Sequence, residues 1–183
     1  MKKILFPLLL VAAVLIQACK GPEGPQGPQG DTAEALGTTF DLTGVNFTAA
    51  EKWQYGLTFA NADLGVDVLE SDAVLVYILW GSENVDGQPL DSYRLLPQTA
   101  FLDNGILTYN TDRTARDFSI FLDGTVNLNT VSADYTRNQE FRVIIIPSDF
   151  AARKSGTVDY SDYKSVVKAY NIDESKIRKI AAK

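Results

Sequence analysis

Few side chains in this 183-residue chain can do covalent or acid–base chemistry, and that scarcity narrows the reading. There is no histidine and one cysteine, Cys19. Without imidazole there is no Ser-His-Asp or Cys-His site, no imidazole general base and no His-ligated metal. A single thiol forms neither an intrachain disulfide nor a zinc–thiolate cluster. The GxSxG, Walker and GxGxxG signatures do not occur. Carboxylate chemistry is left. Asp63, Asp67, Glu70, Asp72, Glu83, Asp86 and Asp91 lie between Trp53 and Tyr93 with no Lys or Arg among them. Loop carboxylates suit Ca²⁺, a hard cation that takes several oxygen ligands, and Asp63, Asp67, Glu83 and Asp86 are the candidate ligands. Two carboxylates at a catalytic separation would instead hydrolyse glycosides. Neither idea has a defining spacing, and Glu83 to Asp91 does not match an EF-hand loop. The favoured reading is that these groups solubilise loops around apolar strands.

Aromatic residues supply a second kind of chemistry, binding. Trp53, Tyr55, Trp80, Tyr93, Tyr109 and Tyr135 fall on or near predicted strands. Exposed rings of this kind serve as platforms for sugars, whereas buried ones fill a core. Core packing is favoured for Trp53 and Trp80, and Tyr135, beside Asp134 and Arg137, is placed in a loop. No catalytic or cofactor-binding residue is assigned, and the ligand-binding residues are left open.

Cys19 has a context of its own. Lys2 and Lys3 precede an uncharged run, Ile4 to Ala18, which ends in a small residue. Its 15 residues fall short of the ~20 that a spanning helix needs. Pro7 lies inside it, so a cleaved signal peptide, residues 1–18, is expected. Ile16-Gln17-Ala18-Cys19 resembles the lipobox of bacterial lipoproteins. The resemblance implies cleavage before Cys19, a thioether lipid on its sulfur and acylation, palmitate for instance, of the new amino terminus. Several acyl chains anchor stably where one does not. The expected location is extracytoplasmic. The outer membrane is favoured over the inner, because Lys20 stands where an aspartate would signal retention. Cleavage also removes Lys2 and Lys3, making the net charge of −6 more negative by two.

Residues 19–37 read as the lipidated cysteine and a linker. Glycine recurs at every third position from Gly21 to Gly30, and proline follows it at Pro22, Pro25 and Pro28. The spacing is collagen-like, but three Gly-Pro-x triplets are too few for a stable triple helix. A polyproline-II spacer is favoured over a trimer, reaching up to ~50 Å for residues 20–36. The leader and linker together resemble small, uncharacterised lipoproteins of Gram-negative bacteria.

Residues 38–183 are long enough for one domain with its own core. Trp53, Tyr55, Leu57 and Phe59 alternate with smaller or polar residues, as in a half-buried strand. Residues 73–80 and Phe141 to Ile146 are apolar runs that suit central strands buried on both faces. Further strands are expected at 38–47 and 90–96. A hairpin is expected at Asp103-Asn104-Gly105, and another turn at Asp123-Gly124 between 117–122 and 125–128. The period then becomes helical. Tyr160, Tyr163, Val167 and Tyr170 form a stripe that Val166 widens, with Asp159 as N-cap and Asn171 at the end. A second short helix is expected over 174–181, capped by Asp173 and stapled by Ile172 onto Ile177.

The fold class read from this is mainly β: an antiparallel sandwich of about seven to nine strands. A C-terminal amphipathic helix, within about 159–181, packs on it to cover the second face of the apolar strands. Residues 153–183 carry eight basic and four acidic residues, read as a solvated helix face, with contact to anionic lipid or another polyanion as the alternative. Nucleic-acid partners are not expected. The expected function is a membrane-anchored, non-catalytic module that binds a partner or serves the envelope structurally. The alternative is a carbohydrate-active protein that binds or cleaves glycans.

Overall fold

Alternating and continuous apolar runs both become strands, and the layering explains which is which. The structure, a computed structural model, describes residues 37–65, 67–149 and 158–183. The leader, Cys19, the Gly-Pro linker and the basic pair Arg153-Lys154 lie outside the described residues. Among those described are nine strands: β1 (Thr38–Val45), β2 (Gln54–Thr58), β3 (Ala73–Val85), β4 (Gln88–Leu95), β5 (Gln98–Leu102), β6 (Gly105–Arg113), β7 (Asp117–Gly124), β8 (Gln139–Ile146) and β9 (Arg178–Ala181). They form a five-stranded sheet, β4-β3-β8-β1-β9, and a four-stranded sheet, β2-β7-β6-β5. Every pairing is antiparallel except β1 with β9. The protein is a β-sandwich.

Side chains that alternate along a strand enter opposite faces. In β8, Phe141, Val143 and Ile145 point into the core between the sheets. Ile144 and Ile146 point the other way, into a second cluster with Tyr77, Val166, Tyr170 and Ile172. β3 divides likewise, with Val76 and Ile78 on the inner side and Tyr77 on the outer. The two continuous runs are therefore buried twice, once against the other sheet and once under the C-terminal segment. The helix Tyr163–Ala169 supplies that cover. Val166 is fully buried, while Tyr163 and Val167 are half-buried. The inner core is rich in aromatic edge contacts, such as Phe47 on Phe141 at 6.1 Å and 88°. Such tilted pairs are favoured by the ring quadrupole.

Several boundaries differ from expectation, each for a local reason. The helix begins at Asp162, which accepts from the Lys164 N–H, rather than at Asp159. Asp159 instead closes its own turn by accepting from the Ser161 N–H at 2.9 Å. Asn171 does end the segment in a left-handed conformation, φ 50°. The second helix is a single 3₁₀ turn, Glu174–Lys176, capped by Asp173 as expected. The chain then extends as β9, because pairing with β1 satisfies an otherwise open sheet edge. Ile180 and Ala182 reach the inner core, and Ile177 joins Ile172 in the outer cluster.

The turn at 103–105 sits one residue earlier than expected. Leu102 pairs with Gly105, so Asp103-Asn104 are its central residues. No strand forms over the expected 125–128. The N–H groups of Thr125 and Val126 both bond the Ile106 carbonyl, and Asn127 then caps the 3₁₀ turn Leu128–Thr130. Gly124 has φ 149° and abuts that carbonyl so closely that a Cβ would overlap it. An unanticipated hairpin joins β3 to β4 through Asp86 (φ 52°) and Gly87 (φ 81°). Two successive positive φ angles make the tight primed turn for which Asp-Gly is a signature.

Candidate functional site

The site begins with a fault in the β3–β4 ladder. Leu79 pairs with Tyr93 and Gly81 with Ser92, so Trp80 is an extra residue with no partner in β4. Such a bulge sharpens the local twist and re-aims a side chain. It falls where β3 outruns its other neighbour, since pairing with β8 stops at Ile78. Beyond the bulge, residues 81–92 form a two-stranded ribbon that is exposed throughout.

Trp80 is held in place on two sides. Tyr109 approaches it edge-on at 6.3 Å and 82°. The Arg94 guanidinium lies 4.6 Å from its ring centroid, a cation–π contact. Trp80 thereby becomes the wall shared by two clefts. The smaller, about 350 Å³, also involves Tyr109, Asp134, Tyr135, Asn138, Gln139 and Glu140. The larger, about 500 Å³, includes Glu83, Asp91, Tyr93, Arg94 and the start of the C-terminal helix, Ser161 to Lys164.

The loop that walls the smaller cleft is pinned. Ser132 caps the short helix Ala133–Thr136 by accepting from the Asp134 N–H. Gln139 Nε2 donates to the Asp134 and Arg137 carbonyls at 2.9 and 2.8 Å. The Tyr109 hydroxyl donates to the Tyr135 carbonyl at 2.7 Å. The backbone N–H of Asn138 donates to Asn46 Oδ1 at 3.1 Å. A pinned loop keeps carboxylates and amides in fixed positions around an apolar floor, as recognition of a polar ligand requires.

A second polar constellation lies on the covered face and behaves differently. Arg142 interrupts the apolar run of β8 directly opposite Asp41 of β1. Its Nε and Nη2 donate to the two Asp41 oxygens at 2.7 and 2.9 Å. Nη1 donates to Glu174 at 3.0 Å and also to the Tyr163 hydroxyl. That hydroxyl donates to Glu174 at 2.7 Å, and the guanidinium stacks 4.2 Å from the Tyr93 ring. Burial alone would lower the Arg142 pKa. The hydrogen bonds to Asp41 and the adjacent Tyr163 outweigh burial and raise it. Burial raises Tyr93 to about 12 although Arg142 pulls it down. Burial also raises Tyr163, helped by its hydrogen bond to Glu174. With its donors spent on internal acceptors, Arg142 is a joint between sheet and cover rather than a ligand site. The signal for it in the sequence was one charge inside an apolar run.

The candidate Ca²⁺ ligands fall in two places. Asp63 ends the short helix Phe59–Ala62 in a left-handed conformation, and with Asp67 it lines an open groove of about 620 Å³. Glu83 lies on the ribbon and borders the larger Trp80 cleft, while Asp86 is the ribbon's turn residue. The structure does not gather the four into one cleft. Asp72 serves to tie loops together, since its carboxylate accepts from the Leu69 and Ser148 N–H groups at 2.9 and 3.1 Å. Among the aromatic candidates, Tyr109 is buried, and Trp53, Tyr55, Trp80, Tyr93 and Tyr135 are half-buried. They form no exposed row, and four of them, Trp80, Tyr93, Tyr109 and Tyr135, converge at the bulge.

These features define a two-sheet β-sandwich with a bulged edge ribbon beside two polar clefts. In comparisons with known proteins, no family model, curated protein or solved structure matches the chain.

Proposed function

We propose that this chain is a lipid-anchored extracytoplasmic protein, fastened through Cys19, that acts as a non-catalytic binding module with its ligand site at the Trp80 clefts. The observation that carries the ligand site is the bulge. It costs a ladder pairing and places one tryptophan between two clefts lined by carboxylates, amides and a guanidinium. The anchor rests on the lipobox-like residues before Cys19, and the outer membrane is its proposed location. The Gly-Pro linker would hold the domain away from the lipid.

The lining favours a glycan as ligand. Sugar hydroxyls donate to carboxylates such as Asp134 and Glu140 and accept from amide and guanidinium N–H groups, while their apolar faces lie against rings. Arg94 already occupies a position over Trp80, so a ligand would approach the ring edge or displace the guanidinium.

The test is binding of the full chain, in detergent, to an array of envelope and surface glycans, beside Trp80→Ala. Binding that falls at least tenfold in Trp80→Ala, with the fold intact by circular dichroism, supports the reading. Binding unchanged in the variant moves the ligand elsewhere. Release of reducing sugar, abolished in Glu140→Gln, would replace binding with hydrolysis. Metabolic labelling with a radioactive fatty acid tests the anchor separately: label on the wild type and none on Cys19→Ala is expected.

A further inference from the structure

Each sheet ends in strands whose outer backbone groups need protection from chance pairing, and natural sheets supply it with charge, proline, glycine or a bulge. Three of the four edges here have it. β4 carries Pro89, Asp91 and Arg94 and lies against the Trp80 bulge. β9 carries Arg178 and Lys179. β2 is interrupted by Gly56, and the Lys183 backbone lies close enough to bond its Tyr55 hydroxyl. The fourth edge, β5, reads Gln98-Thr99-Ala100-Phe101-Leu102 and has none of these devices. Its only neighbour among the described residues is β6.

The direction of the β5 backbone groups follows from its partner. Phe101 pairs with Ile106. The Ile106 N–H donates to Thr125 Oγ1, and its carbonyl accepts from the Thr125 N–H, both on the side away from β5. Phe101 and Ile106 are therefore a non-hydrogen-bonded pair, and the Phe101 N–H and C=O point to the open edge. Thr99, two residues back, points the same way, and its carbonyl accepts from its neighbour Gln98 Nε2 at 3.2 Å, a local bond that strand pairing would share or replace. Phe101 is 82% exposed, the most exposed large apolar residue among the described residues.

We propose that β5 is a self-association edge, pairing antiparallel with β5 of a second copy about a two-fold axis at Ala100. The strand is symmetric about that residue: Thr99 and Phe101, which hold the outward groups, flank it evenly. In this register Thr99 of each copy exchanges a reciprocal pair of backbone bonds with Phe101 of the other. Pro97 and the Asp103-Asn104 turn bound the ladder at its two ends. Each phenyl ring lies over the opposite Thr99 methyl and diagonally beside its twin, within reach for aromatic contact. No charges meet across the strand, although the chain as a whole is acidic. Such an interface is isologous and closes on itself, giving a dimer rather than a fibre.

The experiment is sedimentation velocity on the full chain in density-matched detergent, beside Thr99→Pro and Phe101→Lys. Thr99→Pro removes an outward N–H without touching the β5–β6 ladder, and Phe101→Lys places like charges side by side in the dimer. The expected result is a dimer for the wild type and monomers for both variants, all three with the same circular dichroism. A wild type that remains monomeric up to ~100 µM overturns the proposal, and so does a dimer that survives both substitutions. A monomer whose β5 edge instead captures an extended peptide of another protein also overturns it, and assigns the edge to a foreign strand.

Discussion

The outer faces of the two sheets have opposite fates. On the five-stranded sheet the outward residues of β3 and β8 include Tyr77, Ile144 and Ile146, all buried under the C-terminal helix. On the four-stranded sheet the outward residues of β6 and β7 include Ile106, Thr108, Asn110, Asp117, Ser119 and Phe121, all half-buried or exposed. No apolar cluster forms on that face among the described residues. The same strand geometry therefore gives a sealed face or an open one according to every second residue. The difference also governs where polar groups sit. On the sealed face the buried guanidinium of Arg142 is held by Asp41, Glu174 and Tyr163, whereas on the open face polar groups make only short local bonds, such as Thr99 with Thr108 and Thr114 with Asp117.

Among changes that leave the fold formed, breaking the Arg142–Asp41 joint is the largest expected effect. Asp41→Ala leaves Arg142 buried with only the partly exposed Glu174 and Tyr163 to compensate it, and stability should fall by about 3–5 kcal/mol in urea unfolding. The double variant Asp41→Leu, Arg142→Met should recover most of the loss, because a packed apolar pair of similar volume can replace a buried ion pair. A loss under about 1 kcal/mol for Asp41→Ala would mean that the sheet does not depend on the joint. Next in size is Val166→Ala, which empties the middle of the cover and should cost about 2 kcal/mol. Phe121→Ala on the open face should cost less, under about 1 kcal/mol. Equal losses at the two positions would erase the distinction between the faces.

The contrast was partly legible in the sequence. Continuous apolar runs at 73–80 and 141–146 required a cover on each side, and the Tyr163–Val167–Tyr170 stripe was the segment able to supply one. What escaped was non-local. Asp41 and Arg142 are 101 positions apart, and only the β1–β8 register brings them together. The Trp80 bulge depends on how β4 pairs, which the composition of β3 does not specify. Residues 178–181 became a strand because β1 had an open edge, a fact about the sheet rather than about those residues. The Asp86-Gly87 hairpin, by contrast, was local and readable, but acidity drew its aspartate toward a metal reading instead.

Alkali should test the buried tyrosines without a mutation. Tyr77, Tyr93, Tyr163 and Tyr170 all belong to the sealed face or its cover, and burial raises each above the ordinary tyrosine range. A raised folded-state pKa means that the native state keeps a proton the unfolded chain releases. The stabilisation is whole below pH ~10, the unfolded value, and is lost as pH rises toward 12. The fold should loosen in that window, seen as a falling unfolding midpoint and a rise in tyrosinate absorbance, with Tyr109 of the inner core, also raised by burial, contributing beside the sealed face. Tyr93→Phe, which removes one such proton, should make the decline shallower. An unchanged decline in that variant would place the alkaline sensitivity elsewhere.

The smallest expected effect is the most discriminating. Phe101→Lys sits on the open face at 82% exposure, and in the isolated fold it removes almost no buried surface. Its effect on monomer stability should be within about 0.5 kcal/mol. Ile144→Lys, at a fully buried outward position of the sealed face, places an unpartnered ammonium under the helix and should prevent stable folding. Both substitutions put a lysine on the outward side of a strand, so backbone propensity and charge are matched and only the cover differs. The comparison requires a protein concentration at which the wild type is monomeric, since pairing through β5 would add a concentration-dependent loss to Phe101→Lys. A stability loss of several kcal/mol for Phe101→Lys under those conditions would show that the open face is covered after all.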